Sequence, residues 1–562
     1  MKKLIHWFTT NCNHPKLFLF TVLSALLLVL AFPPYGIFPL VALGLLPWFY
    51  TLEKLSTHKH PYKTAFIHSL LMAVVFCLAG FYWVAGVAAS FGELPWYAAL
   101  GVLVAFSFVG NSQFVFFGLA YVYFRRKMRH QTLRVFDAFG FAALFVWIDT
   151  LFPKIFENEL GHALISSNGL SYWASVVGAR GLSFAVVTMA FLWFTVILKF
   201  YDTRRLKRAD YFLLGATIAV VVGFFISGNH FSHILESRYQ SLTEKFKIAA
   251  IQPNIGGIEK IAAEHGEAYA VDKITDLYVE MTRAAALEYQ PDAILWPETA
   301  FPFYYTHFQD ANANFDGLAR DQVIKDLVGE TKTTLIFGSY FLQNKKPYNG
   351  LFIVDPKFQL VGRYAKTILL AFGEYLPLGP FNDLVYALVP TISDFGRGVG
   401  PEVYSLELPQ GRHVKIAPQI CYEALDFNHT RVGYENGAQI LVNITNDSWF
   451  GATNEPILHL ALTRFRSIET RLPMIRSTNT GITTVITPTG RLAPNTTKTF
   501  EQTIFTAAVP YGDLGKPFIL IIGYRGILLI LSIILGLWLV LRVLRPARSL
   551  RSSTAIGHSK RG

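Results

Sequence analysis

A thiol, an ammonium and a carboxylate stand at the ends of three apolar runs in this chain: Cys421 in Gln419-Ile420-Cys421-Tyr422-Glu423, Lys366 in Tyr364-Ala365-Lys366, and Glu298 in Trp296-Pro297-Glu298. Together these types can run acyl transfer. A cysteine thiolate attacks a carbonyl and holds the acyl group as a thioester. A lysine beside it favours the thiolate and stabilises negative charge on a tetrahedral intermediate. A glutamate takes the thiol proton and later returns it to the leaving group. The amide N–H of Tyr422, next after the thiol, is a natural second oxyanion donor. Each residue alone has a plainer reading. Free cysteine is among the most buried types, a glutamate after Trp-Pro suits a surface turn, and a lysine ending a strand is usually solvated. It is the combination at strand ends, where catalytic groups of α/β sheets gather, that points to chemistry.

The elements that must position these groups follow from periodicity and breakers. Lys247–Gln252 is a short apolar run stopped by Pro253, and Ala293–Trp296 is another stopped by Pro297. Further strands are expected at Thr334–Tyr340, Leu351–Asp355, Val414–Ile420, Ile440–Ile444 and Thr483–Thr487. Helical spacing covers Glu264–Tyr289 and Glu455–Arg471. Alternating strands and helices predict an α/β layered fold with buried sheets. Neither an internal repeat nor a low-complexity segment is evident apart from the basic tail.

The whole chain is too apolar and too long for one soluble domain. Of its 562 residues 52% are hydrophobic and only 16% charged. The net charge of +12 does not indicate nucleic acid, because residues 229–515 hold 24 basic and 30 acidic residues, leaving 26 basic and 8 acidic outside them. Runs long enough to cross a bilayer are expected near 16–32, 36–52, 65–90, 96–124, 136–152, 171–198, 210–228 and 517–541, about eight spans. The first two, split by Pro33-Pro34-Tyr35-Gly36, are read as two spans rather than one re-entrant pair. The first is taken as a retained anchor, since no small-residue cleavage site follows it. Basic clusters follow alternate spans: Lys54, Lys59 and Lys63, then Arg125, Arg126 and Lys127, then Arg204, Arg205, Lys207 and Arg208. The positive-inside rule puts those loops and both termini in the cytoplasm. The expected plan is a membrane domain over 1–228, a catalytic domain outside the membrane over 229–515, a last transmembrane helix over 516–544 and a basic cytoplasmic tail over 545–562. Cys421 then lies in an oxidising compartment without a local disulfide partner, Cys12 and Cys77 being the only other cysteines.

The Glu–Lys–Cys set resembles the nitrilase superfamily, which implies an αββα sandwich. With the spans included, the chain is similar to the apolipoprotein N-acyltransferase family. The resemblance is carried by Trp296-Pro297-Glu298-Thr299-Ala300, Phe372-Gly373-Glu374-Tyr375-Leu376-Pro377, Ile420-Cys421-Tyr422-Glu423 and Asn443–Gly451. Arg464–Arg476 and Thr478–Ile482 continue it, so it covers about 247–487. It implies that Glu298, Lys366 and Cys421 are catalytic, with Glu374, Tyr422 and Glu423 in support. Asn446–Gly451 is read as a structural turn with Trp449 and Phe450 walling the cleft, and His459 as structural. Ala365 and Ala371 stand where the family usually has Asp and Pro, and Leu458 where Gln is common. The implied reaction moves a fatty acyl chain from a phospholipid, most plausibly phosphatidylethanolamine, through a Cys421 thioester. The acceptor is the N-terminal amine of a diacylglyceryl-cysteine apolipoprotein, at a bacterial inner membrane, by a monomer. Ester to thioester to amide runs downhill, so neither metal nor other cofactor is expected. Apolar loops at Phe301–Tyr305, Ile368–Phe372 and Leu384–Pro390 suit a cleft against the bilayer. The alternatives are a membrane-tethered amidase or nitrilase using water as acceptor, and a transporter or scaffold carrying an inactive domain.

Overall fold

The computed structural model describes residues 15–544, apart from 91–93, 129–130, 153, 155, 257–267, 308–314, 372, 377–378 and 383–393. Cys12, the basic tail, the apolar stretch Leu384–Pro390, and Phe372 and Pro377 of the Phe-Gly-Glu motif lie outside the described residues.

Among the described residues five helices are long and apolar enough to cross a bilayer, by length and composition: Pro61–Gly80, Trp96–Lys127, Ala174–Thr203, Arg208–Gln240 and Phe518–Leu544. Pro15–Ala31 is a shorter apolar helix, and Leu45–Ser56 and Val135–Leu151 pack among them. Several apolar runs are interrupted where the sequence suggests continuity. The 65–90 run stops at Gly80 and restarts as Trp83–Ser90, and the 96–124 run divides into Trp96–Val109 and Gln113–Lys127. At the second break Asn111 donates to the Cys77 sulfur at 3.3 Å and accepts from Gln113 at 2.9 Å, so polar side chains satisfy one another inside the bundle. The Ala174–Thr203 helix kinks at Gly178, whose φ is +67°. A Cβ there would sit 2.3 Å from the Tyr524 ring, so only glycine allows both the turn and the contact. The helix over the seventh expected span, Arg208–Gln240, continues past 228, with four residues between its end and the first strand at Lys245.

Among the described residues twelve strands form two sheets. They are β1 Lys245–Gln252, β2 Ala293–Leu295, β3 Phe301–Tyr304, β4 Thr334–Gln343, β5 Lys346–Val354, β6 Leu360–Ala365, β7 Tyr404–Leu408, β8 Arg412–Ile420, β9 Ile440–Thr445, β10 Met474–Thr478, β11 Thr484–Ile486 and β12 Thr503–Pro510. One sheet has the order β12-β1-β2-β4-β5-β6, with β3 also pairing β4; the other has the order β11-β10-β9-β8-β7. Period-two alternation assigns each face. Ile248 and Ala250 point into the space between the sheets, where they meet Val414, Ile416, Val442 and Ile475. Ala249 and Ile251 point the other way, onto the helix Ala268–Tyr289 through Val271, Ile274 and Tyr278. On the far side of the second sheet, Leu441, Met474 and Ile486 pack with Leu460 of the helix Glu455–Thr470. The result is a helix–sheet–sheet–helix sandwich, the α/β layered fold that the strand pattern predicts.

The Glu455–Thr470 helix has a second apolar face. Leu458, Ala461, Leu462, Phe465 and Ile468 belong to the same buried cluster as the membrane helices. Arg466 bridges to Glu469 at 2.8 Å, and Glu469 accepts from the Tyr524 hydroxyl at 2.8 Å and the Ala179 amide at 3.0 Å. The sandwich is therefore docked on the bundle through one helix layer. Its two ends lie side by side, because β1 pairs antiparallel with β12 from Lys245↔Pro510 to Gln252↔Thr503.

Candidate active site

The three groups singled out above converge from three separate strand ends. Glu298 follows β2, Lys366 follows β6 and Cys421 follows β8. Two of these ends turn through residues rarely found at positive φ. Cys421 itself has φ +55° and Thr299, directly after Glu298, has φ +48°. Such conformations persist in non-glycine residues only where the surroundings enforce them, and they concentrate at functional sites. The chain leaves β8 into a single tight turn over Cys421–Leu425. Tyr422 is in the first part of that turn, where N–H groups have no upstream carbonyl within the turn to bind.

Lys366 is buried between two carboxylates. Its ammonium donates to Glu298 Oε1 at 3.0 Å and to Glu374 Oε1 at 2.8 Å. Burial alone would lower its affinity for the proton, but Glu298 and Glu374 outweigh that and hold it well above the ordinary lysine range. The lysine is a fixed cation here rather than a base. Glu298 also accepts from Asn349 Nδ2 at 2.8 Å and, through Oε2, from the Asn446 amide at 3.0 Å. Glu374 accepts from Asn349 Nδ2 at 3.0 Å and from the Leu370 amide at 2.8 Å. Asn349 therefore spans the two carboxylates and, through its carbonyl, receives the Lys366 amide at 2.9 Å.

The Cys421 thiol feels both partners. Burial pushes its pKa well above the ordinary thiol range and the Glu298 charge adds to that, while Lys366 and a hydrogen bond with Thr445 oppose it. Lys366 favours the thiolate, as the sequence suggests, but burial and Glu298 outweigh it and favour the proton staying on the sulfur, in keeping with the expected need for a base.

Glu423 ties the Cys421 turn to the Lys366 loop. Its Oε1 accepts from the Tyr364 hydroxyl at 2.8 Å, the Thr367 hydroxyl at 2.8 Å and the Ile368 amide at 3.1 Å. Its Oε2 accepts from the Ile420 amide at 2.7 Å. The Tyr422 side chain takes another direction. Its hydroxyl donates to Glu455, its ring stacks on His459 with centroids 4.6 Å apart, and it meets Phe156 of the membrane part at 5.3 Å. Phe450 touches Tyr422 and Trp83, the latter at 5.2 Å, so it fills the seam between the Cys421 turn and the membrane helices.

Behind this wall lies a buried polar cluster. Asp447, Glu455 and His459 bring their ligand atoms within 4.8 Å of one another, close enough to hold a cation by geometry. The site is already served by a positive group: Arg476 pairs with Asp447 at 3.1 Å and reaches Asn443 at 2.6 Å. Burial and the Asp447 charge push the Glu455 carboxyl well above the usual range, so it is a neutral partner of the Tyr422 hydroxyl. The arrangement is a packed support for the Cys421 turn and does not favour a metal.

The sequence reading did not single out Asn349, Thr445, Thr367, the Asn446 amide or Glu455. Only contact across strands reveals Asn349, which sits within β5 and carries no motif signature of its own. Comparison with known proteins adds an independent line. Residues 247–516 match the family model described as carbon-nitrogen hydrolase, and residues 24–192 match that of the apolipoprotein N-acyltransferase N-terminal domain. A Bdellovibrio bacteriovorus protein named apolipoprotein N-acyltransferase is 36% identical over 500 residues, covering 86% of this chain and 86% of its own. A Geobacter metallireducens protein of the same name is 28% identical over 509 residues, covering 88% of this chain and 90% of its own.

Proposed function

The chain belongs to the apolipoprotein N-acyltransferase family, and from that premise we propose that it moves a fatty acyl chain from a phospholipid to the N-terminal amine of a lipid-modified lipoprotein. One observation carries the reading: the turn holding Cys421 is packed through Tyr422 against Phe156 of the membrane part, beside the buried Glu298–Lys366–Glu374 group. A thiol placed at that seam meets acyl esters from the bilayer more readily than solutes from water.

In the proposed cycle Glu298 takes the Cys421 proton as the sulfur attacks the ester carbonyl of the donor. Lys366 and the Tyr422 amide stabilise the oxyanion. The carbon–oxygen bond breaks, the lysophospholipid oxygen receives the proton from Glu298, and an acyl-thioester remains on Cys421. The acceptor amine then attacks the thioester, Glu298 removes its extra proton, and collapse restores the thiol. Glu374 and Glu423 act through Lys366 and the nucleophile turn. We assign the donor as phosphatidylethanolamine and the working form as a monomer.

The domain plan is part of the same proposal: helices over 1–228, the catalytic sandwich over 229–515, a last span over 516–544 and a basic tail. Eight crossings with the sandwich in the periplasm and both termini in the cytoplasm agree with basic residues clustered on alternate loops. The experiment that tests the chemistry is intact-mass measurement after incubating the purified protein with phosphatidylethanolamine vesicles. The expected result is one acyl adduct on Cys421, discharged by a diacylated peptide amine. No adduct sinks the proposal, and discharge by water as fast as by the amine replaces it with a hydrolase.

A further inference from the structure

The segment 394–400 is a strap laid across the ends of the strands that carry the catalytic lysine. Its Phe395 amide donates to the Glu374 carbonyl at 3.1 Å, Gly396 to Pro347 at 2.7 Å and Gly398 to Lys366 at 2.8 Å. Both glycines are required by close approach. A Cβ on Gly396 would fall 2.2 Å from the Tyr348 ring, and one on Gly398 would fall 2.1 Å from the Ala365 carbonyl oxygen. The residue between them, Arg397, is exposed. Its guanidinium lies over the Tyr375 ring at 4.6 Å, one residue beyond Glu374. The acid of the strap, Asp394, pairs instead with Lys346 at 3.3 Å. Among the described residues no carboxylate neutralises Arg397.

The strap carries side chains that suit a bilayer interface. Phe395 stacks on Tyr340 with centroids 5.4 Å apart, and Val399 is 104% exposed. Aromatic rings, an apolar tip and a guanidinium on one strap match the headgroup layer of a membrane. A guanidinium binds phosphate through a planar fork, and stacking on an aromatic ring fixes that fork's plane.

We propose that Arg397 is the anchor for the phosphodiester of the acyl donor, a phosphate subsite at the rim of the Glu298–Lys366–Cys421 cleft. This rests on the donor reading above. With the phosphate on Arg397, a glycerol's length separates the headgroup from the ester, and the strap's bond to the Lys366 carbonyl keeps that separation constant. The anchor selects glycerophospholipids over neutral acyl esters without touching the reacting atoms.

The test compares two donors with the same acyl chains, phosphatidylethanolamine and diacylglycerol, both in detergent micelles, by the rate of adduct formation on Cys421. For Arg397→Ala the expected result is a loss of roughly tenfold or more with phosphatidylethanolamine, mainly in KM, and an unchanged rate with diacylglycerol. Arg397→Lys keeps part of the preference, because the charge remains while the fork is lost. Equal losses with both donors, or no loss with either, overturn the anchor. Addition of inorganic phosphate distinguishes a free-anion site: strong inhibition at millimolar phosphate would assign Arg397 to a soluble anion and also overturn it. A wild-type protein that never loads Cys421 from phosphatidylethanolamine fails the donor reading itself, and the anchor with it.

Discussion

At the scale of single residues the site is built from one cation shared by two carboxylates. This has a direct consequence for substitutions. Cys421→Ser should abolish the acyl adduct in the intact-mass assay. Glu298→Gln keeps the shape but removes the proposed base, and should slow adduct formation by roughly 10²–10⁴-fold, the usual contribution of a general base. Asn349→Ala removes a donor to both Glu298 and Glu374. Hydrogen bonds to charged groups contribute about 1.5–3 kcal/mol, so adduct formation should slow by one to two orders of magnitude while Cys421 remains intact. Retained full activity in Asn349→Ala would show that the lysine alone holds the carboxylates. Glu298, Lys366 and Cys421 could be found in the sequence because each ends an apolar run and belongs to a motif. Asn349 could not, since its role exists only once β5 lies beside both acidic loops. The protonation of Cys421 was also illegible, because it depends on burial as much as on its charged neighbours.

At the scale of elements, the loop between the helices Val135–Leu151 and Ala174–Thr203 presses on the nucleophile turn. It supplies Phe156 to Tyr422, and beside it Glu157 is pushed up to about 7, first by burial and then by Asp426 and Glu159, with Arg180 and Arg466 opposing. The sign follows from linkage. A carboxyl whose folded pKa is raised binds its proton more tightly in the fold, so the stabilisation is complete below the ordinary value of 4.5 and is lost as pH rises through about 7. The melting temperature of the detergent-solubilised protein should therefore fall between about pH 5 and pH 8, by an amount equivalent to at most about 3 kcal/mol. Glu157→Gln should flatten that slope; an unchanged slope would assign it to another group. Buried strands were legible in the sequence as short apolar runs, as β1 and β8 show. The break at Gly80 was not, because composition there stays apolar and the interruption is fixed by packing between helices, whereas the one at Gly110–Ser112 carries a local signal in Gly110-Asn111-Ser112-Gln113 that the long apolar flanks mask.

At the scale of the molecule, the Glu455–Thr470 helix serves two cores. Its periodicity announced a helix but not two partners, since both faces are simply apolar. Phe465 and Leu462 are buried against the bundle, so a fragment spanning 241–516 should expose them. It should bind an apolar dye and stay monodisperse only with detergent; a monodisperse, dye-free fragment would show that the docking face contributes little to burial. The proposed topology has its own check. A fluorescent protein fused after residue 562 should mature and emit, as it does in the cytoplasm, and a dark fusion would reverse the orientation.

The pairing of β1 with β12 has an evolutionary consequence. Chain enters and leaves the sandwich through neighbouring strands, Lys245 opposite Pro510, so the membrane helices see a single narrow gap filled by an excursion of more than two hundred residues. An excursion of that kind is a cassette: it can be lengthened, exchanged or grafted onto another bundle by rejoining one short gap, provided the new host offers a berth for the Glu455–Thr470 helix. Chemistry developed on soluble substrates can be transplanted to the bilayer by this route, with the catalytic strands left as they were.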